Sequence, residues 1–167
     1  MKFHTIAELV ECAESEQKKI SEIMIQHEMN TMNQSREVIF EKMARQLEVM
    51  EQAVKRGLTE EIRSKSGLSG GDAKRIQTYK RTAPVLLSGE TILDAVSRAT
   101  AVSEVNAAMG IVVATPTAGA CGILPGTILT AAEKLKSDWE TKVRALFVAG
   151  AIGYVIANQA FISGAAG

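Results

Sequence analysis

Apolar positions in this chain recur at steps of three and four. Ile6, Leu9, Val10 and Ala13 trace one face of a first helix, and Ile20, Ile23, Met24 and His27 renew the stripe. Thr5 stands just before it with Glu8 three positions on, the spacing of a capping box. A second stripe runs through Ile39, Met43, Leu47, Met50 and Val54, with Gly57 as the expected C-terminal stop. Glu and Lys fill the opposite faces. The only β-branched run, Ile111-Val112-Val113, is too short to argue for a sheet. The pattern predicts an all-α fold, with long N-terminal helices and residues 1–167 forming a single helical domain.

The middle of the chain is more broken. Residues 64–71 are rich in Ser and Gly and read as a connector, after which Asp72 favours the start of a short helix through Tyr79. Pro84 separates this unit from the next. From Thr91 the positions Ile92, Val96, Ala99, Ser103 and Asn106 share one helix face, which the pattern assigns to the buried side. A buried amide must have its hydrogen bonds met. Asn106 is therefore expected to tie down the backbone that follows it, or also to touch a substrate. Further on, Thr127 to Leu135 reads as a helix. Ser137 or Asp138 caps a last one through Val143, Leu146, Phe147, Gly150 and Tyr154, in which Gly150 and Gly153 would admit a neighbouring helix.

Between these helices lies Ala114-Thr115-Pro116-Thr117-Ala118-Gly119-Ala120-Cys121-Gly122-Ile123-Leu124-Pro125-Gly126, inside a segment from Val105 to Ala132 that carries no charge. Pro116 pushes Thr115 toward an extended conformation, and the glycines let other groups approach the backbone closely. A backbone-lined pocket and a plain interhelical turn are both compatible with such a loop. Cys121 at its centre could present a thiolate to a metal or substrate, whereas Cys12, on the first helix, reads as a packing thiol.

Composition narrows the function classes. Nineteen basic and nineteen acidic residues cancel, which removes any electrostatic argument for nucleic acid or a membrane surface. The apolar run Ala145 to Ala157 is thirteen residues long, short of the ~20 that cross a bilayer. Two cysteines 109 positions apart make no disulfide framework, and no leader pattern opens the chain, so a cytoplasmic location is expected. No glycine-rich nucleotide-binding pattern occurs, and no second histidine lies at a metal-ligand spacing from His27.

The loop ATPTAGACGILPG resembles the signature loop of the iron–sulfur L-serine dehydratases, in particular the α chain of their two-chain form. The likeness extends through Leu68-Ser69-Gly70-Gly71-Asp72-Ala73, Ile92-Leu93-Asp94-Ala95-Val96-Ser97, Glu104-Val105-Asn106-Ala107-Ala108-Met109-Gly110 and Ile162-Ser163-Gly164-Ala165-Ala166-Gly167. Members of that family continue into further cysteines, so the resemblance implies that these residues are the N-terminal part of a longer α chain.

The resemblance implies L-serine as substrate, a β chain as partner, and a homo- or hetero-oligomeric assembly. It also implies a [4Fe–4S] cluster, with no pyridoxal phosphate. An open iron of that cluster would act as a Lewis acid on the serine hydroxyl while a base removes the α-proton, giving pyruvate and ammonia. Cys121 would be one cluster ligand. Since such clusters need three or four thiolates, this stretch alone is expected to hold no cluster and to be inactive. Thr115, Thr117 and Asn106 are the expected catalytic groups. Thr115, Thr117 and Gly119, with Asn158 and Ser163, are expected to bind substrate. The competing reading is a helical interaction or scaffold domain without chemistry.

Overall fold

A computed structural model describes residues 3–160. The fold is all-α: seven helices, and no strand among the described residues. They are α1 (Ile6–Ser15), α2 (Ile20–Met32), α3 (Arg36–Thr59), α4 (Asp72–Thr82), α5 (Gly89–Ala107), α6 (Ile123–Lys134) and α7 (Trp139–Gln159), with a 3₁₀ turn at Ala118–Ala120. They form two compact units. Among the described residues, one joins 3–45 to 138–160, and the other is Gln46–Ser137.

In the first unit the N-termini of α1 and α7 are capped as the sequence predicts. Thr5 Oγ1 accepts the Glu8 N–H at 3.1 Å, while Glu8 Oε2 reaches back to the His4 N–H at 2.7 Å. Asp138, rather than Ser137, caps α7 by accepting from the Thr141 N–H at 2.8 Å. α1 and α2 are separate helices because Gln17 turns the chain through the left-handed region (φ 53°). α2 packs against α7, burying Ile23 and Ile25 with Val143, Leu146, Phe147 and Ala151. Phe3, His27 and Tyr154 stack in a ring cluster with centroids 4.7–5.3 Å apart, so His27 is a packing residue. Arg36 grips Glu22 with two hydrogen bonds at 3.1 and 2.9 Å, and Arg144 adds another at 3.1 Å. Chiefly through the Arg36 hydrogen bonds, this pairing holds the Glu22 carboxyl below its ordinary range.

Gly150 and Gly153 correct an expectation. No neighbour lies within 4 Å of a Cβ built at either, so within the described residues no helix uses the close approach they permit.

The second unit is organised around α5, which packs against α4 on one side and α6 on another. The second half of α3 contributes Leu47, Met50, Ala53 and Val54 to its core, as the stripe predicts. Gly57 does not stop α3, which runs on to Thr59. Its role is proximity: a Cβ there would lie 2.4 Å from the Ala101 carbonyl oxygen on α5.

The buried face of α5 is also not the predicted one. Ile92 and Val96 are 54% and 45% exposed, while Asp94, Ser97, Ala101, Val102, Glu104 and Val105 are buried. Pattern reading goes wrong here because the face toward α4 is polar. Asp94 takes a hydrogen bond from Lys80 Nζ at 2.5 Å, Gln77 donates to Ser97 Oγ at 2.6 Å, and Lys134 approaches Asp94 at 3.7 Å. Burial opposes ionisation of Asp94, but Lys80, Gln77 and Lys134 outweigh it and hold the carboxyl below its ordinary value.

Two boundaries move. α4 continues past Tyr79 to Thr82, and α6 starts at Ile123 rather than Thr127. Pro125 is tolerated in its first turn because those N–H groups lack intrahelical acceptors anyway.

Candidate functional site

The uncharged loop between α5 and α6 folds onto itself. Thr115 and Pro116 are joined by a cis peptide bond. The Thr115 N–H points to the Thr117 carbonyl at 3.4 Å, and Thr115 Oγ1 donates to the Ala120 carbonyl at 3.2 Å. Thr117 caps the 3₁₀ turn, its Oγ1 accepting the Ala120 N–H at 3.3 Å. From α5, the Asn106 amide donates to the Ala118 carbonyl at 3.1 Å. Of the two roles expected for Asn106, tying down the loop is the one its geometry displays. It does so from a half-buried position, not a fully buried one.

Two glycines seat the far side of the loop on α5. A Cβ at Gly122 would meet the Ala99 carbonyl oxygen at 2.1 Å, and one at Gly126 the Ala95 carbonyl oxygen at 2.7 Å. α6 thus begins almost in backbone contact with α5, which no larger residue at these two positions would allow.

Pro116, Thr117, Ala118 and Gly119 form the exposed tip. Thr117 Oγ1 accepts a backbone N–H, which leaves its own O–H to point at an anionic or carbonyl oxygen on a ligand. Thr115 spends its proton on Ala120 and offers acceptor lone pairs instead. Such a loop suits a small polar molecule with a carboxylate and an ammonium.

Cys121 overturns the expectation of an exposed thiolate. It is 1% exposed, and burial pushes its thiol above the ordinary value. Among the described residues no group of three or more His, Cys, Asp or Glu could hold a metal. One buried thiol does not fit a four-iron cluster, which takes three or four thiolates.

Asn106, Thr115, Thr117, Gly119 and Cys121 come together in the second unit. Asn158 lies exposed on α7, in the first unit. Ser163 lies outside the described residues.

Glu104 is the residue that pattern reading passes over. It is 7% exposed, and its Oε1 accepts the N–H groups of Asp72 at 2.5 Å and Ala73 at 3.4 Å, at the N-terminus of α4. Its Oε2 is buried without a hydrogen-bond partner. The available signal is a lone acid flanked by Val102 and Val105 on the last turns of the helix. Glu104 and Asn106 are two positions apart, on different faces of α5. The last turn of that helix therefore holds the Gly70-Gly71-Asp72 turn with one side chain and the loop with the other.

No helix among the described residues is long and apolar enough to cross a membrane. No solved structure matches the chain. Its sequence is 50% identical over 165 residues to the probable L-serine dehydratase, alpha chain, of Bacillus subtilis, an alignment covering 99% of this chain and 54% of the relative. It is 30% identical over 164 residues to the L-serine dehydratase, alpha chain, of Peptoniphilus asaccharolyticus, covering 98% and 56%. L-serine dehydratase TdcG of Escherichia coli is 32% identical over 173 residues, covering 98% and 36%. The chain thus spans about half the length of these two alpha-chain relatives. The family profile described as serine dehydratase alpha chain matches residues 15–167, a span that takes in α5, the signature loop and both glycine contacts, and the chain belongs to that family.

Proposed function

We propose that this chain supplies the signature-loop part of an L-serine dehydratase, which releases pyruvate and ammonia from L-serine. The observation that carries the reading is the loop itself: an exposed Thr117 hydroxyl on an uncharged turn braced by Asn106, in a chain of the serine dehydratase family. Thr117 would donate to the substrate carboxylate, Thr115 would accept from its ammonium, and Gly119 would leave room for both. Asn106 would keep the turn in register. Asn158 and Ser163 are further proposed substrate contacts.

The family's [4Fe–4S] cluster belongs to this proposal in a restricted form. Cys121 is proposed as one ligand, with the others coming from the part of the relatives' length that this chain does not cover, and pyridoxal phosphate is not required. The described residues do not form a ligand set, so no catalytic step is assigned through the cluster here, and this chain alone is proposed to be inactive. A β chain is the proposed partner, in an oligomer located in the cytoplasm.

The test is pyruvate release from L-serine by the complete two-chain enzyme. Thr117→Ala is expected to raise the Michaelis constant about tenfold, the loss of one hydrogen bond to a charged group. An unchanged Michaelis constant sinks the binding role. Absence of pyruvate from folded, iron-loaded enzyme sinks the reaction.

A further inference from the structure

L-serine carries a carboxylate and an ammonium, whereas no residue from Val105 to Ala132 carries a charge. A carboxylate that leaves water for a site of hydroxyls and amides alone gives up more hydration than such groups return. The positive charge has to come from another part of the fold.

Arg56 is placed to supply it. It stands on α3 next to Gly57, where that helix touches the α5 backbone at Ala101. From there its side chain reaches the end of α5. A Cβ at Gly110 would lie 2.9 Å from Arg56 Nη1, so the guanidinium sits beside bare main chain at that residue. One turn of α5 holds both Gly110 and the signature loop. The Gly110 N–H donates to the Val105 carbonyl at 2.8 Å, and the next residue, Asn106, donates to the Ala118 carbonyl at 3.1 Å.

The hydrogen bonding of Arg56 leaves one edge open. Its Nε donates to Glu60 at 2.8 Å, which pins the guanidinium from one side. Among the described residues, Nη1 and Nη2 have no hydrogen-bond partner. Two parallel N–H groups on a planar cation match the two oxygens of a carboxylate. Other cations of this unit are engaged elsewhere: Lys74 with Glu61, Arg75 with Asp72, Lys80 with Asp94 and Arg98 with Glu133. Lys65 meets the same end of α5 through its main-chain N–H, which donates to the Ala107 carbonyl at 3.1 Å.

We propose that Arg56 is the carboxylate anchor of the site, its Nη1–Nη2 edge taking both oxygens of the substrate carboxylate while Thr117 shares one of them. A carboxylate offers about four lone-pair positions, so the two residues do not compete. The anchor rests on the serine dehydratase reading and adds to it a binding residue from outside the signature loop. It makes the site selective for amino acids with a free carboxylate over their amides and the corresponding amino alcohols.

The test is serine saturation of the two-chain enzyme. Arg56→Gln is expected to raise the Michaelis constant about thirtyfold, the loss of a bidentate charged contact, with kcat changed less than about twofold because ground state and transition state lose it alike. Arg56→Lys keeps the charge without the fork and should raise the constant about fivefold. Lys65→Met should leave it unchanged. An unchanged Michaelis constant in Arg56→Gln overturns the anchor, as does a loss confined to kcat.

Should the variants fail to fold, the parent enzyme still decides. Modification of Arg56 by phenylglyoxal, followed by peptide mapping, is expected to slow at least about threefold in saturating L-serine, the mark of a guanidinium covered by a bound carboxylate. Arg45, 72% exposed on the same helix, serves as the unprotected control. Equal rates at Arg56 with and without serine overturn the anchor. A Michaelis constant that responds to Thr117→Ala but not to Arg56→Gln rejects the anchor alone. Absence of pyruvate from the folded, iron-loaded parent enzyme rejects the serine reading, and the anchor with it.

Discussion

The carboxylate of Glu104 accepts the backbone N–H of Asp72 at 2.5 Å, across thirty-two positions of sequence. A buried acid from one helix thereby supplies the cap that α4 lacks locally, since Gly71 at its N-terminus has no side chain to offer. The negative charge also meets the positive end of the α4 dipole. Glu104→Ala would leave two amide donors near the core without an acceptor and is expected to destabilise the chain by about 1–3 kcal/mol. Glu104→Gln keeps one acceptor oxygen and should cost less. Urea midpoints compare them; an alanine variant within about 0.5 kcal/mol of the parent chain contradicts the capping role.

Gly57 and Ala101 make the next prediction. A methyl group at position 57 meets the Ala101 carbonyl oxygen at 2.4 Å and the Ala101 Cβ at 2.6 Å. Gly57→Ala raises helix propensity, which on an open helix would stabilise by roughly 0.5–1 kcal/mol. The clash should outweigh that gain and leave a net loss of about 1–3 kcal/mol. A raised melting temperature would show that α3 and α5 are not packed at this point.

Glycines 119 and 122 separate structure from binding. Gly122→Ala places a Cβ 2.1 Å from main chain and is expected to cost at least about 1–3 kcal/mol. At Gly119 the nearest group is Thr117 Oγ1 at 3.8 Å, so alanine there should change stability by less than about 0.5 kcal/mol. If the tip holds substrate, Gly119→Ala nonetheless weakens serine saturation in the two-chain enzyme. Stability and kinetics should therefore move oppositely at the two sites.

Asp94 sets a pH dependence. Its folded carboxyl titrates below its ordinary value of 3.8, so it binds a proton less readily folded than unfolded. Its contribution to stability is then fully present above about pH 4 and is lost as pH falls through the folded value. Asp94→Asn should flatten that part of the stability profile. Lys80→Met leaves the carboxylate with Gln77 and the more distant Lys134, at an expected cost of about 1–3 kcal/mol near pH 7. Urea titrations from pH 2.5 to 7 read both effects, and parallel profiles for Asp94→Asn and the parent chain would contradict the assignment.

The helices were legible where a single physical signal set them. The Thr5–Glu8 cap, the Asp138 cap and the Ile39–Val54 stripe all appear where local chemistry puts them. The signals that failed were those with two meanings. Gly57 and Gly122 look like punctuation in a sequence, yet both permit backbones to touch, a fact that depends on residues forty-four and twenty-three positions away. The face of α5 was misassigned because apolar side chains mark a core only when polar ones are not paired inside it. Asp94 and Ser97 are paired with Lys80 and Gln77, and Ile92 is left outside. The loop was legible as a unit, and its threonines as groups of interest. Their mutual hydrogen bonding, and the inward turn of Cys121, depend on a 3₁₀ turn that small residues do not announce.

The meeting of α6 with α5 has a genetic consequence. At Gly122 the obstructing atoms include a carbonyl oxygen and carbon of Ala99, and at Gly126 the carbonyl oxygen of Ala95 and the amide nitrogen of Ala99. These belong to every amino acid alike. A second-site change that trims a side chain on α5, even Ala99→Gly, removes none of those main-chain atoms, so it cannot compensate for alanine at position 122. Suppressors of such a defect should fall instead among residues that set the spacing of the two helices, which makes the glycine pair a fixed point around which the rest of this crossing can vary.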